Sequence, residues 1–236
     1  MYGTDGRVGL VVPSSNTTNE PEFAKALPEG VSVHASRMRL ADVDAESLSA
    51  MADDATECAS LLATADVDVV AYGCTTGSLV HGPGYDEDIE ARLEAEAGVP
   101  AVATAASIKR AFDDLGVDSV AVTTPYIEDL NRREAEFLEA AGYDVIAIDG
   151  LGLSSNIEIG AQDPETAAIA ARNVDDPAAD AVFISCTNYR TFEIIPELER
   201  ELDKPVVTSN QATLWDALHE MTGDVRPTID LGQLFR

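Results

Sequence analysis

Residues 69–78 read VVAYGCTTGS, and residues 181–190 read AVFISCTNYR. In both, an apolar run ends in a cysteine followed by threonine. The first run, DVVAYGC (68–74), is apolar on successive residues instead of alternating. A strand with one wet face alternates, whereas a strand covered by helices on both faces does not. The stretch therefore reads as an inner strand of a parallel sheet, and the echo as a second such strand.

Working outward, further short runs rich in Val, Ile and Ala lie at 7–13 (RVGLVVP), 31–38, 99–104, 118–125 (DSVAVTTP), 143–150, 180–186 and 205–210 (PVVTSN). Segments with apolar residues at three- and four-residue spacing separate them, at 45–65, 85–97, 105–115, 127–141, 160–173, 191–203 and 211–222. Strand alternating with helix predicts an α/β fold. The two halves also echo each other. Cys74 and Cys186 are 112 positions apart, and Val11 and Val122, in the first strand of each half, are 111 apart. The expectation is two pseudo-duplicated Rossmann-like lobes with parallel sheets, 1–116 and 117–236, with the site in the cleft between them. The C-terminal segment may cross back to the first lobe, and its end, VRPTIDLGQLFR (225–236), reads as a docking tail.

In open α/β sheets ligands sit beyond the carboxyl ends of the strands. Those ends carry Pro13-Ser14-Ser15-Asn16, Cys74-Thr75-Thr76, Thr124-Pro125-Tyr126 and Cys186-Thr187-Asn188. A thiol between a strand and a helix start lies near unpaired N–H groups, which favour the thiolate. Thr75, Thr76 and Ser78 add hydroxyls, and Gly73 and Gly77 allow close backbone approach, so the segment suits a carboxylate. A single buried cysteine is more often packing. A second cysteine at the equivalent place in the other half reverses that weighting. Cys58, inside the helical run ATECASLLATA (55–65), has no such cradle and reads as packing. Asn16 is either an amide donor to a ligand or a helix cap. Asn156, in a turn before a helix, carries the same two readings. Tyr126 is either an oxyanion donor or an aromatic packed at a strand end.

The chain has 236 residues, 45% of them apolar, and a net charge of −28 with the acid spread along its length. Such a surface repels nucleic acid and anionic lipid, so neither is expected as a partner. The pattern suits a halophilic setting, where salt screens self-repulsion. No apolar run spans a bilayer, and the start has no basic segment leading into a long apolar one, so a cytoplasmic protein is expected. Three cysteines without CxxC, and three scattered histidines, favour neither disulfides nor a metal.

The stretches GLVVPSSNTTNEPEF (9–23), YGCTTGS (72–78), TPYIEDLNRREAEFLEAAGYDV (124–145), GLSSNIEIG (152–160) and SCTNYR (185–190) together resemble the maleate cis–trans isomerases. These belong to the aspartate/glutamate racemase superfamily, which includes the arylmalonate decarboxylases. The resemblance covers nearly the whole chain. It implies a cofactor-independent isomerase acting on a small cis-dicarboxylate, with Cys74 as nucleophile and Cys186 as the second, proton-donating cysteine. It places Asn16, Thr75, Thr76, Tyr126, Asn156 and Thr187 on substrate-binding positions and implies a homo-oligomer, dimer or tetramer, with no metal. Three alternatives stand beside it. An amino-acid racemase would use both cysteines as acid and base, but Asn188 stands where such enzymes often carry glutamate. A decarboxylase of the arylmalonate type is disfavoured because that branch lacks the first cysteine. A non-catalytic dicarboxylate-binding protein is the third.

Overall fold

The computed structural model describes residues 2–40, 45–221 and 225–236, with the backbone alone described at 45–50, 52 and 53. Residue 222, the expected end of the last helix, lies outside the described residues. Eight strands are present among them: β1 (Gly6–Pro13), β2 (Val31–Met38), β3 (Val69–Tyr72), β4 (Ala101–Ala103), β5 (Ser119–Thr124), β6 (Asp144–Gly150), β7 (Ala181–Ile184) and β8 (Val206–Thr208). They form two four-stranded sheets in the orders β2-β1-β3-β4 and β6-β5-β7-β8, every pairing parallel. The second order is the first with each strand advanced by four, as the sequence echo requires. β3 and β7, the runs that end in cysteine, are inner strands, and all eight of their residues are buried. This is why neither run alternates.

The helices are α1 (Asn19–Ala26), α2 (Ala45–Ala63), α3 (Thr75–Leu79), α4 (Tyr85–Ala97), α5 (Thr104–Leu115), α6 (Glu128–Ala140), α7 (Asn156–Gly160), α8 (Pro164–Val174), α9 (Ile195–Leu202) and α10 (Ser209–Glu220). Three of them, α1, α3 and α7, have five to eight residues and are not among the helical segments read from apolar spacing. Segments this short show too few turns for apolar periodicity to register. None of the described helices is long and apolar enough to cross a membrane.

Two helices tie the halves together. Phe112 of α5 packs edge-on against Phe183 of β7, with ring centroids 5.7 Å apart, so α5 covers the second sheet. α10 in turn packs against α5 and against β3 and β4 of the first sheet. Between them, Arg110 donates to Glu90 of α4 at 2.7 Å and to Asp216 of α10 at 2.6 Å. The tail docks as well. Thr228 N–H donates to the Ala26 carbonyl at 2.8 Å, Gln211 holds the Leu231 carbonyl at 2.6 Å, and Leu234 is buried beside Trp215. The chain end thus fixes α1 and the capping box that starts α10.

Candidate active site

Each cysteine lies two residues beyond its strand, Cys74 after Tyr72 and Cys186 after Ile184. The offset is the same in both halves, and both thiols reach one cleft. One narrow cavity of about 10 Å³, room for about one water, is lined by Pro13, Leu40, Cys74, Cys186 and by Asn16, Thr75, Thr76, Tyr126, Asn156 and Thr187. All eight residues singled out from the sequence line it. Cys58 does not; it is buried in the core on α2.

Cys74 is the N-cap of α3 and accepts a hydrogen bond from Gly77 N–H at 3.4 Å. Gly77 permits this approach, since a Cβ there would stand 2.9 Å from the Cys74 sulfur and 2.8 Å from the Tyr72 hydroxyl. The N–H and the nearby Thr76 hydroxyl favour the thiolate, as the sequence suggested, but burial outweighs them. The Cys74 thiol is pushed up to about 11. The expectation of a lowered thiol is therefore corrected for the free site: one short helix end does not offset complete desolvation.

Cys186 is held differently. Its φ of 103° is in the left-handed region, uncommon for a residue with a Cβ. The backbone is pinned there by Cys186 N–H donating to Ser209 Oγ at 3.0 Å, and the sulfur accepts from Asn188 N–H at 3.3 Å. The Tyr126 hydroxyl lies near this sulfur, and burial with the two nearby thiols keeps the phenol itself un-ionised. Burial nonetheless pushes the Cys186 thiol up to about 12, with the Cys74 charge adding to the effect.

The remaining lining residues knit the two halves across the cleft. Asn16 takes the capping role of the two considered for it and also bridges the cleft. Its Oδ1 accepts from Thr18 and Asn19 N–H at the start of α1, while its Nδ2 donates to Thr187 Oγ1 at 3.1 Å. Thr187 Oγ1 donates in turn to the Gly73 carbonyl at 3.0 Å. Asn156 is not the cap of α7, which is Ser155; its Nδ2 donates to Ser15 Oγ at 2.8 Å. Thr75 Oγ1 donates to Ser209 Oγ at 2.9 Å. Each amide NH₂ has a second N–H left for a ligand. The cavity lining is uncharged, so a dianion would be held by N–H and O–H dipoles alone.

Sequence reasoning passed over several supporting residues. Asn188 accepts from Thr17 N–H at 2.8 Å and donates to the Asn156 carbonyl at 2.7 Å, fixing three site segments together. Ser209 and Asn210 follow β8, and the strand-end rule that found the cysteines would have found them in PVVTSN. Glu22 is buried, accepts from Thr191 and Phe192 N–H at 2.7 and 3.0 Å, and binds Asn210. Glu134 of α6 is buried, and neither of its carboxyl oxygens has a hydrogen-bond partner among the described residues. No periodicity marks these acids, because a charged residue on a helix is normally a solvated one.

Burial raises both Glu22 and Glu134 to about 7 from an ordinary 4.5. The folded chain then binds more protons than the unfolded one between those values. The stability involved is complete below 4.5 and is lost as pH rises through 7. Glu134→Gln removes one such loss. Its stability relative to the parent should rise by about 3 kcal/mol between about pH 4.5 and about pH 8, read from urea midpoints at constant salt.

Comparison with known proteins agrees with this geometry. The family model described as arylmalonate decarboxylase matches residues 8–235. A maleate isomerase of Geobacillus stearothermophilus is 33% identical, over 91% of each chain. A maleate isomerase of Pseudomonas putida S16, solved with maleate, superposes with a TM-score of 0.90 at 29% identity over 94% of each chain. A maleate cis–trans isomerase of Nocardia farcinica, solved as a cysteine-to-serine mutant with a covalently bound succinylcysteine intermediate, superposes with a TM-score of 0.87 at 28% identity. It covers 91% of this chain and 92% of its own. With two thiols in one uncharged cleft and these relatives over nearly its full length, the chain belongs to the arylmalonate decarboxylase family, on the side of the maleate isomerases.

Proposed function

We propose that the protein is a cofactor-independent isomerase that converts maleate, or a closely related cis-dicarboxylate, to the trans isomer through a covalent adduct on Cys74. The observation that carries this reading is the pair of thiols beyond equivalent strands of the two sheets, lining one cavity. Rotation about the central bond of maleate is blocked by its π-bond. Addition of the Cys74 thiolate to one alkene carbon forms a C–S bond and moves the π electrons toward the far carboxylate as an enolate. Tyr126, Asn16, Asn156, Thr75, Thr76 and Thr187 are the donors for the two carboxylates and for this developing charge. The Cys186 S–H protonates the adjacent carbon, giving a saturated adduct with a free single bond. After rotation the Cys186 thiolate removes that proton, the C–S bond breaks, and the trans product leaves with its carboxylates apart. Cys74 returns as thiolate and Cys186 as thiol, so charge and protons balance.

The lobes at 1–116 and 117–236 each supply one thiol on this reading. The net charge of −28 supports a high-salt cytoplasmic setting, and the family supports a homo-oligomer. The test is NMR of the purified protein in concentrated salt with maleate, then with L-aspartate in D₂O. Fumarate formation is the expected result. Solvent deuterium at the aspartate α-carbon without fumarate would replace this reading with a two-cysteine racemase. Neither product, together with inert thiols, would leave a binding protein.

A further inference from the structure

Addition, rotation and elimination as written make no use of Glu134, yet its buried carboxyl is near enough for its charge to act on the second thiol. Its helix, α6, packs against α3, which begins at the nucleophile, and against β6. The groups that face its buried carboxyl are the Ser185 hydroxyl, the Tyr126 phenol and the Cys186 thiol. Ser185 Oγ is buried and near enough to hold the Glu134 value down, although the two make no hydrogen bond in the resting geometry. No cation compensates the carboxyl. On α6, Arg132 and Arg133 are engaged with Asp129 and Glu136 on the outer surface. Asp144 and Asp149 of β6 point to solvent, and α3 carries no ionisable side chain. Buried polar atoms left without partners call for a reason.

The reaction supplies one. The nucleophile must be a thiolate, burial opposes the charge on both sulfurs, and the cavity lining contains no carboxylate, histidine or lysine to accept a proton. We propose that Glu134 completes the proton inventory of the site: Glu134, Cys186 and Cys74 together hold one negative charge, which rests on the Glu134 carboxylate until that carboxylate takes up a thiol proton. In this step the Cys186 S–H bond breaks and a Glu134 O–H bond forms, with Ser185, next to Cys186 in the chain, as the hydroxyl able to pass the proton. The Cys186 thiolate then takes the proton of Cys74. The result is a Cys74 thiolate, a Cys186 thiol and a neutral Glu134, with no net change in charge. Glu134 is a positioning residue in this scheme, because it touches no substrate.

Two negative charges in one buried site exclude each other, so the three groups titrate as a unit. Below the ionisation of Glu134, near 7, the thiolate fraction grows tenfold per pH unit. Above it the unit already carries its charge, each new thiolate requires Glu134 to regain a proton, and the growth stops. With a permanently neutral Gln the growth continues.

The experiment compares the parent with Glu134→Gln from about pH 6 to about pH 9 at constant high salt. It measures turnover of maleate and, separately, the rate of iodoacetamide labelling at Cys186 resolved by peptide mass spectrometry. Both rates should level off near pH 7 in the parent and keep rising in the variant, a relative gain of about 100-fold by pH 9. Ser185→Ala, which removes a group that lowers the Glu134 value, should keep the levelling but move it to higher pH. A fold defect would lower rates at every pH without changing the slope. Profiles of the same shape in Glu134→Gln and parent would overturn the proposal and assign any inflection to Glu22, the other buried acid near 7. The turnover measurement rests on the isomerase reading and the labelling does not. Absence of fumarate at every pH would therefore sink that reading while the labelling still decides the role of Glu134.

Discussion

Cys74→Ser is expected to abolish maleate turnover, by at least about 10³-fold, in a protein that remains folded. The two halves of this expectation come from different physics. Serine is a preferred N-cap residue, and its Oγ can accept the Gly77 N–H that the sulfur now accepts, so α3 keeps its start. The cavity also loses little volume, since oxygen replaces sulfur without removing an atom. The chemistry does not survive. An alkoxide is far harder to form than a thiolate in a site that already pushes the thiol up to about 11, and it is a poorer leaving group in the elimination step. Fumarate formation followed by NMR, with far-UV circular dichroism as the folding control, checks both halves. A variant with near-parental turnover would remove the covalent step, because no other nucleophile except Cys186 lines the cavity with a soft enough atom to add to the alkene. Cys58, buried on α2 away from the cavity, cannot substitute.

The inner strands could be read from the sequence because burial on both faces leaves continuous apolar runs that stop at polar or reactive side chains, whereas the half-exposed edge strands β2 and β6 were legible only from their Val, Ile and Ala content. β3 and β7 are shorter than their expected bounds of 68–74 and 180–186: each loses its leading aspartate and its last two residues, the cysteine included, which leave the sheet to reach the cleft. The repeat gave each thiol the same offset from its strand, and bonds across the cleft such as Asn16 to Thr187 and Thr75 to Ser209 bring the two strand ends to one cavity. What the residues of one strand end touch could not be read in the same way. Asn188 was visible as part of SCTNYR, but its bridge from Thr17 to Asn156 joins segments far apart in the chain and leaves no local pattern. The raised Cys74 thiol was hidden for a related reason. The helix start is local and legible, whereas the burial that overrides it is contributed by both halves at once. Glu134 is the extreme case. It sits in NRREAEFLEA (131–140), where every neighbouring charge is solvated, and only the packed fold turns one of five acids and bases inward.

Charge patterning explains why the cleft and the surface look unlike one another. A chain at −28 that must hold a dianion cannot rely on its long-range field, which opposes entry. The described cavity answers with neutral donors fixed by bonds across the cleft, such as Asn16 to Thr187 and Asn156 to Ser15. Fixed dipoles need no reorganisation when charge moves from one carboxylate toward the other, and salt screens the outer field more than it screens buried contacts. Weak binding at low salt with little change in the rate of the bound complex is the corresponding signature.

Cys186→Ser should separate the two halves of the reaction and leave the substrate attached to the protein. Cys74 keeps its helix start and its Gly77 N–H in this variant, so addition to the alkene is retained. Protonation of the enolate carbon can be supplied slowly by Tyr126 or by water entering the space vacated by the larger sulfur. The reverse step cannot. Removing that carbon-bound proton needs a base of thiolate strength aimed at it, and a serine hydroxyl at the same strained position, with φ at 103°, does not ionise there. Turnover should therefore fall by about 10²- to 10⁴-fold, the range general acid–base groups contribute. Intact mass should show one substrate added without loss of water, and digestion should locate it on the peptide bearing Cys74. The adduct should be absent from the Cys74→Ser, Cys186→Ser double variant, which excludes labelling at Cys58. If the single variant turned over rapidly with no adduct, Cys186 would not be the proton carrier, and a thiolate adduct that isomerises without protonation would have to take its place, with Tyr126 and the cleft amides alone holding the enolate through the rotation.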